Sequence, residues 1–235
     1  MNNHLLNLEK KIGITFTNKK LLENVLVHRS FLNEHKKFPL PSNEKLEFLG
    51  DSVLSLVTSI YLYKNYPTLD EGSYTDIKAA IVRTESLAET ASLLGLGKFI
   101  YLSKGEEING GRTNKNILAD TFEALVAAIF IDKNFETAYR FIVKFLFGKK
   151  LDYIIKNKLY LSPKSRLQEY AQSRFKRLPE YKIIEEKGPE HKKNFFVAVY
   201  LNGRQLATGS GHSKKEAEET AAKKAIERII SQKKG

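Results

Sequence analysis

From Leu5 to about Asn157 apolar residues recur at three- and four-residue spacing, and after Ser162-Pro163 the period changes. The helical period predicts helices over 21–27, 74–83 and 85–94, with longer ones through the apolar runs 44–63 and 117–131. Breaks fall at Pro39/Pro41, Pro67, Gly95/Gly97 and Asn109-Gly110-Gly111. No stretch here alternates like a strand, so the first part reads as all-α. Beyond Pro163, residues 164–175 read as a helix, and 181–186 and 195–201 as strands rich in β-branched and aromatic residues. Asn202-Gly203 is a hairpin-turn signal leading into a third strand over 204–210. A last helix starts at Ser213, with Ser213 and Glu216 in capping-box spacing and an apolar stripe of Ala217, Ala221, Ala225, Ile226, Ile229 and Ile230. The second part is therefore a small α+β module of order α-β-β-β-α, and the boundary lies near 157–162.

The two long apolar runs carry carboxylates. Glu44, Glu47 and Asp51 precede and enter the first, and on a helix they fall within about 60° of one another. Asp120 and Glu123 project from one face of the second, three residues apart. Removing an ionised carboxylate from water is costly without a counter-charge. The competing reading, that these acids cap helices or pair with Lys45, Lys115 or Arg112, suits a lone pair better than two pairs inside apolar helices. Hard oxygen ligands with no cysteine or histidine among them favour Mg²⁺ or Mn²⁺ over zinc.

Composition narrows the classes. The chain has 235 residues, 42% of them apolar, which is enough for a substantial core. With no cysteine, disulfides, thiolate metal sites and cysteine nucleophiles are excluded. The opening, Met1 to Lys11, does not read as a signal peptide, and no apolar run reaches membrane-spanning length. A cytoplasmic protein without a membrane partner is the expectation. Net charge is +12; residues 161–235 hold 17 Lys/Arg against 9 Asp/Glu, residues 1–160 only 22 against 18. The concentrated surplus suits a polyanion partner, and a solubility surface equally well on charge alone.

Asn43-Glu44-Lys45-Leu46-Glu47-Phe48-Leu49-Gly50-Asp51-Ser52-Val53-Leu54 resembles the nuclease signature of the ribonuclease III family over twelve contiguous residues. His28-Arg29-Ser30-Phe31 resembles that family's upstream element. Gly105-Glu106-Glu107, Gly110-Gly111-Arg112 and the segment 117–124 resemble its second catalytic segment. The resemblance covers essentially the whole chain in the bacterial domain order. It implies an endonuclease domain over 1–158 and a double-stranded RNA-binding domain over 162–232. It implies a homodimer that hydrolyses double-stranded RNA with Mg²⁺, Mn²⁺ substituting, and leaves 5′-phosphate and 3′-hydroxyl ends with short 3′ overhangs. Ribosomal and other RNA precursors are the expected substrates. Position by position, Glu47, Asp51, Asp120 and Glu123 match the metal-binding acids, with Asp51 and Glu123 catalytic, and Glu44 matches an auxiliary acid. Phe48 matches a dimer contact. Asn116, where the family often has Ser, is a departure outside the acid set. His28 is read as a packed or locally bonded histidine, Gly95-Leu96-Gly97 as a turn, and Phe141, Phe145 and Phe147 as core.

Lys214 and Lys215 stand in the first turn of the last helix, against the preference of its dipole. The pattern suits a grip on an external phosphate, or a solvated helix end tolerated at small cost. Gly188 to Lys193 ends in a basic tip that can enter a groove or be an ordinary hairpin loop. Together with 163–170, these segments resemble the three contact regions of a double-stranded RNA-binding domain. The resemblance implies Gln168 and His191 on successive minor grooves and Lys214 and Lys215 on phosphates. Glu218, where many such domains are basic, is the departure. A protein that binds RNA without cutting it, on a degenerate nuclease fold, is the alternative that loss of an acid would mark; all four acids are present.

Overall fold

The computed structural model describes residues 2–189 and 193–231, and the chain divides after Asn157 into two units. In the first unit, short polar side chains decide where helices begin, because they accept N–H groups that a first turn leaves unpaired. After α1 (Asn2–Ile12), Asn18 accepts from the Leu21 N–H to open α2 (Lys19–Val25), and His28 caps α3 (Arg29–Glu34). α4 (Glu44–Asn65) follows the Pro39/Pro41 break. Asp70 opens α5 (Glu71–Val82), which runs almost directly into α6 (Thr84–Leu93). Ser103 caps α7 (Lys104–Ile108), Asn114 caps α8 (Lys115–Asp132) and Asn134 caps α9 (Phe135–Ile142). A wide π-type turn over Val143–Phe147 leads to α10 (Gly148–Lys156). Among the described residues of this unit, the strand-like pairing is a single bridge between Val27 and Tyr101.

α8 is the core helix. From Ile117 to Ile129 every residue is buried except Asp120 and Glu123. Its principal neighbour is α4, and the two backbones meet at Gly50. A β-carbon there would stand 1.9 Å from the Glu123 carbonyl oxygen, so no larger residue permits this approach. One expectation needs correcting: α4, with 22 residues, is long and apolar enough by length and composition to cross a bilayer. Its buried positions, among them Val53, Leu54, Val57 and Leu62, lie in the protein core. Phe141 and Phe147 are buried as expected, and Phe145 is partly so.

The second unit has the expected order: α11 (Pro163–Phe175), β1 (Glu180–Lys187), β2 (Asn194–Leu201), β3 (Arg204–Gly211) and α12 (Lys214–Ser231). The strands form one antiparallel sheet in the order β1-β2-β3, with Tyr181 opposite Val199 and Val199 opposite Ala207. Asn202 (φ 52°) and Gly203 (φ 74°) both take positive φ, the pair of conformations a two-residue I′ turn requires. A bulge at Ile184 interrupts the β1–β2 register. Leu167, Val199, Ala207, Ala221, Ala222 and Ala225 form the core, with Tyr181, Leu206, Ile226 and Ile229 against it. Alanines line α12 because β3 lies so near: a β-carbon on Gly209 would meet the Ala221 nitrogen at 2.2 Å. The expected stripe differs at its end, where Ile230 is exposed, and Ala222 joins the core instead.

Candidate active site and nucleic-acid interface

Three contacts set the start of α4. The Asn43 N–H donates to the Val27 carbonyl at 2.9 Å, its buried amide donates to Val25 at 3.1 Å, and its carbonyl accepts from the Glu47 N–H at 2.9 Å. The first turn of α4 is thus tied to the end of α2, which fixes where Glu44 and Glu47 point. Asn114 does the same for α8, accepting from the Asn116 and Ile117 N–H groups. Beside it, the Arg112 guanidinium donates to the carbonyls of Gly97 and Ile100, at 2.9 and 3.1 Å, and to Glu107 at 2.6 Å. Arg112 is therefore a strut between loops and does not neutralise the acids of α8.

Glu47, Asp120 and Glu123 offer carboxylate oxygens that all lie within 4.8 Å of one another. Asp51, one turn along α4, is exposed and stands outside that trio, yet its charge acts on Glu123. Among the described residues, no ion pair involves Glu47, Asp51, Asp120 or Glu123. Glu44 is set apart: it accepts from the Ser42 hydroxyl at 2.6 Å and lies 3.7 Å from the Arg29 guanidinium.

The electrostatics follow from that crowding. Burial pushes the Glu123 carboxyl up to about 8, helped by the negative charges of Asp51, Asp120 and Glu47. Glu47 is raised by burial and then by Asp120 and Glu44. Asp120 is raised by burial, against the pull of Arg29. Three partly buried carboxylates, each with its charged form disfavoured by burial and by neighbouring acids, fit a hard divalent ion whose positive charge would offset that cost. The residues present therefore fit a metal.

A cleft of about 590 Å³ opens beside the trio. Glu44, Glu47 and Asp120 form its acidic wall, with Glu106 adding a fourth carboxylate. His28, Arg29, Ser30, Asn33, Asn43, Asn114 and Asn116 supply the polar remainder. Glu106 and Asn116 belong to segments already singled out in the sequence, but neither counted among the candidate site residues. Asn33 left no signal, because α3 is too short to show a period.

In the second unit Gln168 is exposed on α11, where Ser165, Gln168, Glu169, Gln172, Ser173 and Lys176 line a shallow hollow of about 500 Å³. Lys214 and Lys215 are exposed at the start of α12, the Lys214 ammonium 5.9 Å from the centre of the Phe195 ring. The capping box is half as expected. Ser213 Oγ accepts from the Glu216 N–H at 3.1 Å, but the Glu216 carboxylate reaches past Ser213 to the His212 N–H at 2.7 Å. Glu218 pairs with Lys164, whose ammonium also sits 4.8 Å from the Tyr181 ring centre, so this acid clamps α12 to α11. His191 lies outside the described residues.

Comparison with known proteins agrees with this division. Residues 18–150 match the family model described as Ribonuclease-III-like, and residues 163–229 the double-stranded RNA binding motif. The chain is 49% identical to Ribonuclease 3 of Chloroflexus aurantiacus, over 96% of this chain and 92% of that one. It is 45% identical to Ribonuclease 3 of Geobacillus kaustophilus, over 94% and 89%. Among solved structures, the nuclease domain of ribonuclease III from Campylobacter jejuni superposes with a TM-score of 0.56 at 38% identity, covering 60% of this chain and 94% of that one. That structure is described as concerning a flexible region involved in dimer formation.

Proposed function

From the chain's membership of the ribonuclease III family, which makes it an endoribonuclease directed at double-stranded RNA, we propose that Glu47, Asp51, Asp120 and Glu123 form its cleavage site for Mg²⁺-dependent hydrolysis. The observation that carries this reading is the unneutralised trio of Glu47, Asp120 and Glu123, with Asp51 acting on it. Glu47, Asp120 and Glu123 would hold Mg²⁺, with Mn²⁺ able to take its place, and Asp51 stands ready on the exposed side. Bound there, the ion supplies positive charge to a non-bridging phosphate oxygen and acidifies a water.

The chain's own groups do the rest. Glu123, whose carboxyl is pushed up to about 8 by burial and by Asp51, Asp120 and Glu47, would in its ionised form be a ligand for the cation. Gly50 holds α4 against α8, so that the acids of both helices share one locus. In the net reaction the water oxygen bonds to phosphorus and the bond from phosphorus to the 3′ oxygen breaks. That oxygen takes a proton, which leaves a 5′-phosphate and a 3′-hydroxyl.

The second unit would bind the duplex by A-form shape, through Gln168 on α11, Lys214 and Lys215 on α12, and His191. Two cleavage sites in a homodimer, one per strand, would give short 3′ overhangs. The relative's dimer-forming nuclease domain and the exposed Phe48 support that assembly. Precursors of ribosomal and other RNAs are the substrates we assign, with action in the cytoplasm.

The deciding experiment is a gel of labelled RNA duplex incubated with the protein and with Glu123→Ala, in Mg²⁺ or in Ca²⁺, beside single-stranded RNA and DNA. Duplex-specific cutting in Mg²⁺ that Glu123→Ala loses, with binding kept, supports the reading. Near-normal cutting by Glu123→Ala removes the site.

A further inference from the structure

His28 uses one ring nitrogen inside the protein and leaves the other without a partner. Its Nδ1 accepts from the Ser30 backbone N–H at 3.3 Å and lies 2.8 Å from Ser30 Oγ. Ser30 Oγ in turn accepts from the Ser103 N–H at 3.1 Å. That bond occupies an oxygen lone pair and leaves the hydroxyl hydrogen to point at Nδ1. An imidazole nitrogen that receives N–H and O–H donors must carry a bare lone pair, so the ring proton sits on Nε2. Partial burial of the ring favours this neutral form.

Among the described residues, Nε2 has no hydrogen-bond partner. The residue lines the cleft that holds Glu47 and Asp120, next to Arg29. The Arg29 guanidinium is largely exposed and tethered only loosely to Glu44. A ring braced from behind by Ser30 and Ser103, with an N–H to offer, is a pre-set donor. Beside an arginine in the same cleft, its natural acceptor is an anionic oxygen.

We propose that the Nε2–H of His28 is a fixed donor to a non-bridging phosphate oxygen of the RNA strand lying in the cleft, with Ser30 and Ser103 as its positioning residues. The inference rests on the cleft being the cleavage site. It gives His28-Arg29-Ser30 two separate duties, closing the start of α3 and contacting substrate, carried by opposite nitrogens of one ring.

Those duties separate by substitution. Asn places an oxygen near the Nδ1 position and is a favoured helix cap, but has nothing at Nε2. His28→Asn should keep the melting temperature and lower kcat/KM on duplex RNA by about ten- to a hundredfold, the scale of one hydrogen bond to a charged group. His28→Gln, whose amide reaches toward the Nε2 position, should recover part of that activity at lower stability. The tautomer is read directly from ¹⁵N–¹H couplings of the imidazole in the full chain, with the His28 signals assigned by their absence in His28→Asn. A proton on Nε2 supports the proposal; a proton on Nδ1 overturns it whatever the variants do. Full kcat/KM in a stable His28→Asn also overturns it, provided Glu123→Ala is inactive. If Glu123→Ala still cuts, the fault lies with the site and not with His28.

Discussion

Gly50 lies against the carbonyl oxygen of Glu123 so closely that a β-carbon on the glycine would stand 1.9 Å from it. This one contact joins the two helices that carry the acids. Glu47 and Asp51 flank it on α4, and Glu123 is its partner on α8. Gly50→Ala should therefore act on stability and activity together. Overpacking of this kind costs about 1–3 kcal/mol, and the forced separation should pull Glu47 away from Asp120 and Glu123. A urea titration and the duplex-cleavage assay check both effects. Full activity in a destabilised variant would show that the acids tolerate the shift.

In the absence of metal, stability should fall as the pH rises. The Glu123 carboxyl sits at about 8 in the folded protein against an ordinary 4.5, and burial is the main cause. The folded state then holds a proton that the unfolded chain has released. The favourable contribution is full below about pH 4.5 and is lost as the pH climbs through about 8. Glu47 and Asp120 are shifted the same way and add to the trend. Melting temperatures in a chelating buffer should decline over that window, and Glu123→Gln should flatten the decline. Mg²⁺ added near pH 8 should restore the melting temperature, because it binds only the folded site. A flat profile in the unmodified protein would contradict the crowded trio.

Duplex affinity should depend on salt through the lysines at the start of α12. Lys214 and Lys215 are exposed and unpaired by any acid among the described residues. Replacing both with Ala should make the plot of log affinity against log salt shallower by about two, roughly one for each phosphate left without its lysine. Filter binding in Ca²⁺ across a salt series measures it. An unchanged slope would assign the phosphates to other groups.

Phe48 is 79% exposed, although it stands between Glu47 and Asp51 on a core helix. Such exposure is what a dimer contact at Phe48, the role its match to the family signature implies, would leave in a single chain. Phe48→Glu should shift sedimentation from dimer toward monomer at micromolar concentration, and cleavage should fall with it. A variant that still sediments as a dimer would remove Phe48 from the interface.

The two acid-bearing helices were legible because their apolar density is long and unbroken, so their periods survive any tertiary detail. The β module was legible for a different reason: Asn202-Gly203 and strands dense in β-branched and aromatic residues are local signals with little competition. What stayed hidden was built from contacts between distant segments. α3 has six residues and owes its place to the His28 cap and to packing of Phe31 and Phe38 against Tyr101, with His35 on Phe31. The polar side of the cleft joins α3, α7 and the start of α8, which no window of sequence brings together. Arg112 was a candidate partner for the acids and became a strut, because the carbonyls of Gly97 and Ile100 lie within its reach. The π-type turn at Val143–Phe147 holds one residue more per turn than the helical period allows for.

The bulge at Ile184 sits on β1, an outer strand of the three-stranded sheet. An outer strand shows unsatisfied backbone groups to any passing chain and invites sheet-to-sheet fusion. Here the invitation is withdrawn: the alternation breaks at Ile184, and Lys182, Glu185, Glu186 and Lys187 crowd the same exposed strand. Many copies gathered along one long polyanion would meet at high local concentration. The bulge and charges of β1 would disfavour edge-to-edge pairing between such neighbours along this strand.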